Sequence, residues 1–425
     1  MFDRPATNRH CRMFATLSSQ LGSADNVGMP VQGLAASACA APARASSSAA
    51  AAPPPPAVDL GGLELRSRGL GVADLILGCG FLAPAPAGGG LAPVAREVAA
   101  ATVVAAIEHG IRTLDTAPLY GAGVSEESVG AGLAALGLEL AAEVQVISKS
   151  GVMIREAGAT ALDAPPPAVG FAGKRATHRD YSAGSAALAL RESLTRLGVD
   201  RLSELRVHGP HRTDRVMIEG TMQSKLDQDG IETVLGKGGL LEGLVALREA
   251  GTIEHVSLGL NAFDPDIVPR LLPLFTEPAD GVVQSALLAG GWNLLNQEAA
   301  PLMLAAQRRG IGIHVAGVFS SGLLTGGSTV YHQGSDSGQP PPPEVLALLR
   351  GWETLVGEHQ LELATVALAF ACLPRCVTKV VVGCSHASEV VENVARLPGV
   401  AAVPASLWAQ ARARGLLPPS LHVLA

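Results

Sequence analysis

Residues 111–121 read IRTLDTAPLYG: a short apolar run ends in an aspartate, and a turn containing Pro, Tyr and Gly follows it. The same arrangement, in which an apolar run ends in a polar residue, recurs in VQVISKSG (144–151) and LSELRVHG (202–209). Short apolar runs bounded by turn residues predict buried strands, and polar residues at the carboxyl ends of parallel strands are typical of the catalytic rim of a barrel. These three stretches therefore predict neighbouring strands whose ends carry functional side chains.

Five further apolar runs extend this pattern outward, and helical stretches separate them. Eight strand–helix units in one chain predict an α/β fold, and specifically a closed (β/α)8 TIM barrel. We expect the barrel to span residues 63–400 and residues 401–425 to form a C-terminal extension. The predicted strands are Asp74–Cys79, Ile111–Leu114, Val144–Ser148, Leu202–Val207, Ile253–Leu258, Gly281–Leu287, Ile311–Ala316 and Lys379–Val382.

Helix boundaries can be read from capping residues. Ser182 opens a helical stretch with an apolar face, and Gly198 stands where a left-handed glycine would end it. Ser125, followed by Glu126 and Glu127, likewise predicts the N-cap of a helix.

A doubly wound sheet is the competing interpretation, because residues 78–83, GCGFLA, fit the dinucleotide fingerprint GxGxxA. That fingerprint requires a helix to begin among its glycines. Here Pro84 and Pro86 follow, so no helix can begin before about Ala92. The barrel is the better prediction.

Composition narrows the function classes. The 425 residues carry a net charge of −7, with a pI near 5.9, so we expect no nucleic-acid partner. No run reaches the 18 apolar residues of a membrane span, so we expect no membrane partner. Six cysteines in so long a chain do not resemble a disulfide framework. A metal site at Cys372, Cys376, Cys384 and His386 is disfavoured, because the first two lie in an apolar helical stretch where cysteine acts as a small hydrophobe.

Residues 1–58 differ from the rest: they are rich in Ala, Ser and Pro, carry few acids, and include SSSAAAAAPPPPA. Such a segment cannot build a core, so we expect a disordered leader. A basic, Ser-rich leader is typical of a transit peptide, which would send the protein to a plastid or mitochondrion. A plain disordered extension has the same composition and would leave the protein in the cytoplasm.

Asp115, Tyr120, Lys149 and His208 would converge above one rim of the predicted barrel, because neighbouring strands lie about 5 Å apart. Each has an ordinary structural explanation when taken singly, but together they suit hydride-transfer chemistry. A tyrosine, with an ordinary pKa of about 10, serves as a base near neutral pH only if a cation stabilises its phenolate. Lys149 would supply that cation, Asp115 would hold Lys149, and His208 would orient the reacting oxygen.

Several long segments resemble the aldo-keto reductase superfamily, in order and with its spacing, over about residues 63–397. They are DTAPLYGAGVSEESVG (115–130), VISKSG (146–151), YSAGSAALALRESLTRLGVDRL (181–202) with RVH (206–208), LLEGLVALREAGTIEHVSLGLN (240–261) and VVVGCSHASEVVENVA (380–395). Two more, DGVVQSALLAGGWNLLNQ (280–297) and GVFSSGLLTGG (317–327), are most similar to the aldose 1-dehydrogenase branch, which acts on D-threo-aldoses, L-fucose and L-galactose, with pyridoxal dehydrogenases nearby.

The resemblance implies that Asp115, Tyr120, Lys149 and His208 are the family's catalytic tetrad. It also implies a cofactor site: Asn261 and Gln284 on the nicotinamide carboxamide, the loop after strand seven on the pyrophosphate, and the segment after strand eight on the adenosine. The implied loop residues are Phe319, Ser320, Ser321, Gly322 and Leu323, and those of the adenosine segment are Gly383, Ser385, Glu392 and Asn393.

NAD is the expected cofactor and NADP the alternative, because Gly383 and Glu389 match positions that carry Lys and Arg in NADP-preferring members. The family's stacking aromatic is missing at about Gly317, so Phe319 or Trp292 would take its place. We expect an enzyme, a monomer or weak homodimer, that oxidises the anomeric hydroxyl of a small aldose to a lactone. The alternatives are an aldehyde or pyridoxal reductase or dehydrogenase, and a non-catalytic cofactor-binding subunit. Long polar segments at 209–238 and 327–343 would shape the substrate pocket.

Overall fold

The computed structural model describes residues 62–65, 68–83, 94–156, 175–210, 214–218, 221–225, 228–262, 264–276, 281–326, 340–419 and 421. The predicted leader and most of the segment 327–343 lie outside these residues. The strands of the described part are β1 (Leu75–Gly78), β2 (Thr113–Asp115), β3 (Gln145–Ser150), β4 (Val152–Glu156), β5 (Arg175–Arg179), β6 (Leu202–His208), β7 (Asp214–Ile218), β8 (Thr221–Lys225), β9 (Ile253–Asn261), β10 (Ser285–Ala289), β11 (Gly312–Ala316) and β12 (Val377–Gly383).

Eight of these strands are parallel and close into a barrel in the order β1-β12-β11-β10-β9-β6-β3-β2. The ring is continuous at β1, where Gly78 pairs both with Asp115 of β2 and with Gly383 of β12. The predicted (β/α)8 barrel is therefore confirmed. The fingerprint-like residues after β1 form a 3-10 turn, Cys79–Phe81, rather than the start of an α-helix.

Helices surround the barrel, and their caps test two predictions. Helix α4 has Ser182 as its N-cap and ends at Gly198, whose φ of +67° is left-handed, as predicted. Ser125 is not an N-cap, because α2 begins one residue earlier and the Ser125 hydroxyl donates instead to the carbonyl of Cys79 at 2.7 Å. The helices are α1 (Arg96–Glu108), α2 (Val124–Ala135), α3 (Leu138–Ala142), α4 (Ala183–Leu197), α5 (Gln228–Leu235), α6 (Leu240–Glu249), α7 (Val268–Leu271), α8 (Ala300–Arg309), α9 (Pro343–Glu358), α10 (Leu363–Ala371), α11 (Ala387–Val400) and α12 (Ala405–Ala413).

Two antiparallel hairpins, β4–β5 and β7–β8, leave the carboxyl-end rim of the barrel after β3 and β6. The sequence pattern did not predict strands there, since the segment after each barrel strand was expected to lead to a helix. Both hairpins follow strands that carry candidate catalytic residues.

The core has two parts. The larger part lies between the strands and the surrounding helices, and the smaller part is a cluster of four side chains from β1, β3, β10 and β12: Ile76, Ile147, Leu287 and Val381. These four come from strands around the ring and do not join the helix-packed core, so they fill the interior of the barrel. Ala289 and Ala316 pack against this cluster.

The two ends of the described chain pack against the barrel. Leu65 forms an isolated bridge with Pro374, just before β12, and so lies toward the end of the barrel opposite the candidate site. The predicted C-terminal extension contains α12, whose Trp408 lies 5.9 Å from the ring of Phe370 and 6.4 Å from that of Trp352. None of the described helices is long and apolar enough to cross a membrane.

Candidate active site

Four polar side chains meet at one rim of the barrel, where β2, β3 and β6 end. Lys149 donates hydrogen bonds to Asp115 Oδ1 and, at 2.8 Å, to the carbonyl oxygen of Thr116. The Lys149 amine lies 4.8 Å from the centre of the Tyr120 ring. The His208 ring meets Tyr120 edge-on, with centroids 5.8 Å apart and planes at 84°. The structure thus brings together all four residues of the predicted tetrad.

Lys149 is a buried cation in this arrangement. Burial by itself would lower the pKa of Lys149, but the Asp115 carboxylate and Tyr120 act in the opposite direction, and the net effect raises the pKa. The amine therefore stays protonated near neutral pH. Because a neighbouring cation favours the charged form of a phenol, Tyr120 is placed to exchange a proton with a bound substrate.

The end of β6 is held in place from the neighbouring loop. Tyr181 donates its hydroxyl proton to the carbonyl oxygens of His208 and Gly209, at 2.9 and 3.1 Å. Gly151, with a φ of +99°, turns the chain past the same ring, and a Cβ there would lie 2.3 Å from Tyr181 Cε1. Only glycine fits this position. Gly151 and Tyr181 therefore fix how β3 and β6 present Lys149 and His208.

A polar network below the tetrad was missed by the sequence analysis. Arg206 is fully buried and forms ion pairs with Asp115 Oδ2 at 3.0 Å and Glu204 Oε2 at 3.4 Å. It also lies 2.7 Å from His314 Nδ1. The signal was available, since Glu204, Arg206 and His208 alternate along one strand and therefore share a face.

The loop after β11, predicted to hold a pyrophosphate, has an unusual backbone. Ser320, Ser321 and Gly322 have φ values of +48°, +61° and +91° within a 3-10 segment that runs to Thr325. Ser320 is buried, and its hydroxyl has no hydrogen-bond partner among the described residues. Non-glycine residues in left-handed conformations are strained and cluster at binding sites. An orphaned hydroxyl and strained, Gly-containing backbone between Phe319 and Leu323 fit the predicted phosphate site.

The structure decides between the two candidate stacking aromatics. Trp292 is fully buried and stacks on Phe370, with centroids 4.9 Å apart, so it cannot stack on a cofactor. Phe319 is partly exposed and remains the candidate. Gly317 cannot carry an aromatic side chain, because a Cβ there would lie 2.9 Å from the backbone nitrogen of Gly290.

Of the two predicted nicotinamide contacts, Asn261 is at the carboxyl end of β9, at the rim of the tetrad. The prediction for Gln284 is wrong. Its carboxamide accepts from the backbone of Val256 at 2.9 Å and donates to the carbonyl of Val282 at 2.7 Å, before β10 begins. Ala289, five residues later, is the partner of Asn261, so Gln284 lies roughly 16 Å further down the strand. The strand was expected to begin at residue 281 but begins at Ser285.

Gly383 ends β12, and Ser385 follows it just before the N-terminus of α11. Glu389 closes this terminus: its carboxylate accepts from the backbone of Ser385 at 2.6 Å and of His386 at 3.3 Å, in a capping box. Gly383 is exposed, and a Cβ there would lie 2.4 Å from Phe81 Cε2. The aromatic ring therefore occupies the space that a side chain at position 383 would need.

The two remaining predicted cofactor residues stand in the first turns of α11. Glu392 is exposed and pairs with Arg396 at 3.4 Å. Asn393 is buried, with its amide donating to Cys384 Sγ at 3.5 Å and accepting from Arg396 at 3.2 Å. Both face the same arginine. Asn393 therefore ties the helix to the end of β12.

Comparison with known proteins identifies the family that this chain matches. The Aldo/keto reductase family matches residues 77–399. A pyridoxal 4-dehydrogenase from Microbacterium luteolum is 29% identical over 82% of this chain and 97% of its own length. A D-threo-aldose 1-dehydrogenase from Pseudomonas sp is 29% identical over 75% of this chain and 88% of its own. An L-galactose dehydrogenase from Arabidopsis thaliana is 26% identical over 78% of this chain and 88% of its own.

Solved structures support the fold. A glycerol dehydrogenase from Gluconobacter oxydans superimposes with a TM-score of 0.55 at 18% identity, covering 86% of this chain and 99% of its own. An aldo-keto reductase from Bacillus halodurans, in its holo form, gives a TM-score of 0.55 at 19% identity, covering 83% and 96%. At this identity the likeness concerns the barrel alone.

Proposed function

The chain belongs to the Aldo/keto reductase family of oxidoreductases, and from this premise we propose that it oxidises the anomeric hydroxyl of a small aldose to the lactone. The observation that carries the proposal is the placement of Lys149. Its protonated amine is held by Asp115 and faces the ring of Tyr120. That is the arrangement a tyrosine base needs near neutral pH.

Three side chains have distinct roles in the proposed reaction. Tyr120, as phenolate, takes the proton of the anomeric hydroxyl, and Lys149 balances the phenolate charge. His208, edge-on to Tyr120, donates a hydrogen bond to the same substrate oxygen and orients it. A bound NAD or NADP would supply the hydride-acceptor chemistry at the anomeric carbon. Asn261, the loop Phe319–Leu323 and the N-terminus of α11 would hold the cofactor.

A cyclic aldose is the preferred substrate class because two of the relatives named above are dehydrogenases of D-threo-aldoses and of L-galactose. Pyridoxal is the second candidate, favoured by the relative that covers the largest share of the chain. Pyridoxal carries an aldehyde beside a hydroxymethyl group and so closes into a cyclic hemiacetal. Its oxidation breaks and forms the same bonds as the oxidation of an anomeric centre.

The test is steady-state turnover of the full chain with L-galactose, L-fucose, a D-threo-aldose or pyridoxal, each with NAD and with NADP. Absorbance of the reduced nicotinamide follows the reaction. We expect sustained turnover with an aldose and formation of the corresponding lactone. Turnover with pyridoxal alone would move the proposal to the second candidate.

The rival function is a cofactor-binding subunit without catalysis, since a fold does not determine a function. A cofactor-binding subunit differs from an enzyme in that it releases no reduced cofactor. Such a subunit would bind NAD or NADP, seen by fluorescence titration, yet release no reduced cofactor with any aldose, aldehyde or pyridoxal. That result would refute the proposed function.

A further inference from the structure

Strand β6 carries a row of three polar side chains, Glu204, Arg206 and His208, on one face. Alternate residues of a strand point the same way, and His208 meets Tyr120, so Glu204 and Arg206 point into the barrel below the tetrad. Arg206 has no exposed surface. A guanidinium is rarely buried so completely, and where it is, it must be paired.

Arg206 contacts a different strand with each part of its guanidinium. Nε faces Asp115 Oδ2 of β2 at 3.0 Å, Nη1 donates to the carbonyl of Leu258 in β9 at 3.3 Å, and Nη2 lies 2.7 Å from His314 Nδ1 of β11. The same Nη2 pairs with Glu204 at 3.4 Å. The side chain therefore spans the interior, and its Nε pairs with the carboxylate that holds Lys149.

The charges of this network follow from its contacts. Burial would raise the pKa of Glu204, but Arg206, His314 and the Ser285 hydroxyl outweigh it and lower the pKa to about 2. Burial and Arg206 lower the pKa of His314 to about 3, so its Nδ1 is a neutral acceptor near pH 7. The network thus holds two cations, Lys149 and Arg206, against two carboxylates.

Asp115 has one oxygen on each cation: Oδ1 accepts from Lys149 and Oδ2 faces Arg206. A lone carboxylate beside Lys149 would cancel much of the ammonium's field at Tyr120. A second cation behind that carboxylate offsets its charge and holds it in place. The field at Tyr120 is then more positive than the Lys149–Asp115 pair alone would produce.

We propose that Arg206 is a positioning residue which, through Asp115, sets the pH at which Tyr120 becomes a base. The expected change in the pH profile of activity rests on the proposed function, whereas the titration of Tyr120 does not. Glu204 acts in the opposite direction, since its negative charge partly offsets Arg206. Replacing either residue should therefore move the working pH of Tyr120, with opposite signs.

Other titratable groups lie near Tyr120 and Asp115. The thiol of Cys79 enters from the turn after β1, and burial raises its pKa, so it is neutral near pH 7. The groups that face Tyr120 directly or from behind Asp115 are Cys79, Asp115, Lys149, Glu204, Arg206, His208 and His314.

A merely structural role for Arg206 makes a different prediction. A buried ion network can hold a barrel together, and breaking it by removing one partner is strongly destabilising. In that case Arg206→Met would lower the melting temperature, and the pH dependence of Tyr120 would not move.

The direct test is a titration of phenolate absorbance in the full-length chain. The sequence contains three tyrosines, Tyr120, Tyr181 and Tyr331, so subtracting the curve of a Tyr120→Phe chain isolates one of them. Arg206→Met should move the midpoint of the Tyr120 signal upward by about one pH unit, a tenfold fall in phenolate at a fixed pH. Glu204→Gln should move it downward. Arg206→Lys, which keeps the charge, should stay close to the unaltered chain.

An unchanged midpoint in both Arg206→Met and Glu204→Gln, with a lowered melting temperature, would overturn the proposal. If Arg206→Met fails to fold, Glu204→Gln decides by itself, because a downward shift supports the proposal and no shift refutes it. The profile of kcat/KM against pH with the best aldose should move with the absorbance midpoint. If no aldose is oxidised, the proposed function fails, while the absorbance titration, which needs no substrate, still decides the role of Arg206.

Discussion

The amine of Lys149 lies 4.8 Å from the centre of the Tyr120 ring, while Asp115 accepts one of its protons. The cation is almost completely buried, so solvent screens its field only weakly. We therefore expect Asp115, Lys149 and Tyr120 to act as one unit, so that removal of any member affects proton exchange.

Replacing Tyr120 with Phe removes the group that exchanges the proton in the proposed mechanism. We expect turnover to fall by at least about 10²–10⁴-fold, the range of general acid–base catalysis, while the affinity for cofactor is retained. Lys149→Met should behave similarly. Turnover is measured with the best aldose and binding by fluorescence titration, with thermal unfolding as the control for folding. Near-normal turnover in Tyr120→Phe would remove Tyr120 from the mechanism.

The lowered pKa of His314 predicts how the free energy of unfolding depends on pH. The pKa of His314 is about 3 in the folded chain, against an ordinary value of 6.5, because of burial and Arg206. Between these values the unfolded chain binds a proton that the folded chain does not, so stability falls as pH falls, by about 1.4 kcal/mol per pH unit. The loss from pH 6.5 to pH 5 should be roughly 2 kcal/mol.

Denaturant unfolding of His314→Gln at the same two pH values measures this contribution. The variant cannot take up the proton, so its stability should change less over this window. Glu204 does not interfere: its lowered pKa of about 2 stabilises the fold above pH 4.5, and that contribution is lost only as pH falls from there toward 2. Equal pH dependence in the two chains would contradict the assignment.

Phe319 and Trp292 are a matched pair of aromatic residues for which we expect different roles. Phe319→Ala should weaken cofactor binding by about 2- to 10-fold, the worth of one aromatic stack, with little change in melting temperature. Trp292→Ala should cost about 3–5 kcal/mol of stability, because it removes a fully buried ring that stacks on Phe370. Cofactor titration and denaturant unfolding of both variants separate the effects. A large stability loss from Phe319→Ala would show that this ring belongs to the core.

Local sequence patterns predicted most of the fold and part of the candidate site. Apolar runs located all eight barrel strands, since a buried parallel strand is apolar on both faces. The error at Gln284 has a physical origin: Gly281 has a φ of +73°, so the apolar residues after it begin in a turn and the strand starts later. The length of an apolar run does not show where within it the strand begins. Arg206 was missed because a charged residue inside a predicted strand is usually assigned to the exposed face of that strand. Its partners come from distant strands, which only the closed barrel brings together.

Residues 1–58 should be dispensable for catalysis, and we propose that they direct the protein to a plastid or mitochondrion. The segment lacks the periodic apolar residues needed to pack on a barrel. A chain that begins at residue 59 should match the full chain in kcat/KM and melting temperature. Microscopy of tagged chains with and without the segment tests the second part. Uniform cytosolic signal from the full chain would refute the targeting role and leave dispensability intact.

The N-terminus of α11 already holds an anion. The Glu389 carboxylate accepts from the backbone of Ser385 and His386, where the positive end of the helix would otherwise favour a phosphate. The resemblance places Gly383 at the other position that is basic in NADP-preferring members, and the Phe81 ring occupies the space that a Cβ there would need. A 2′-phosphate at this end of β12 would therefore meet a negative charge and an aromatic ring instead of two cations.

We therefore expect kcat/KM to favour NAD over NADP. Each missing charge-assisted contact is worth about 1.5–3 kcal/mol, or about 10- to 100-fold in affinity. Glu389→Gln, which keeps the capping geometry but removes the charge, should raise the affinity for NADP by about tenfold and leave that for NAD unchanged. Gly383→Lys should help little by itself, because its Cβ would lie 2.4 Å from Phe81, but should help when combined with Phe81→Ala. A preference of the unaltered chain for NADP would mean that cations elsewhere bind the 2′-phosphate and that Glu389 does not select the cofactor.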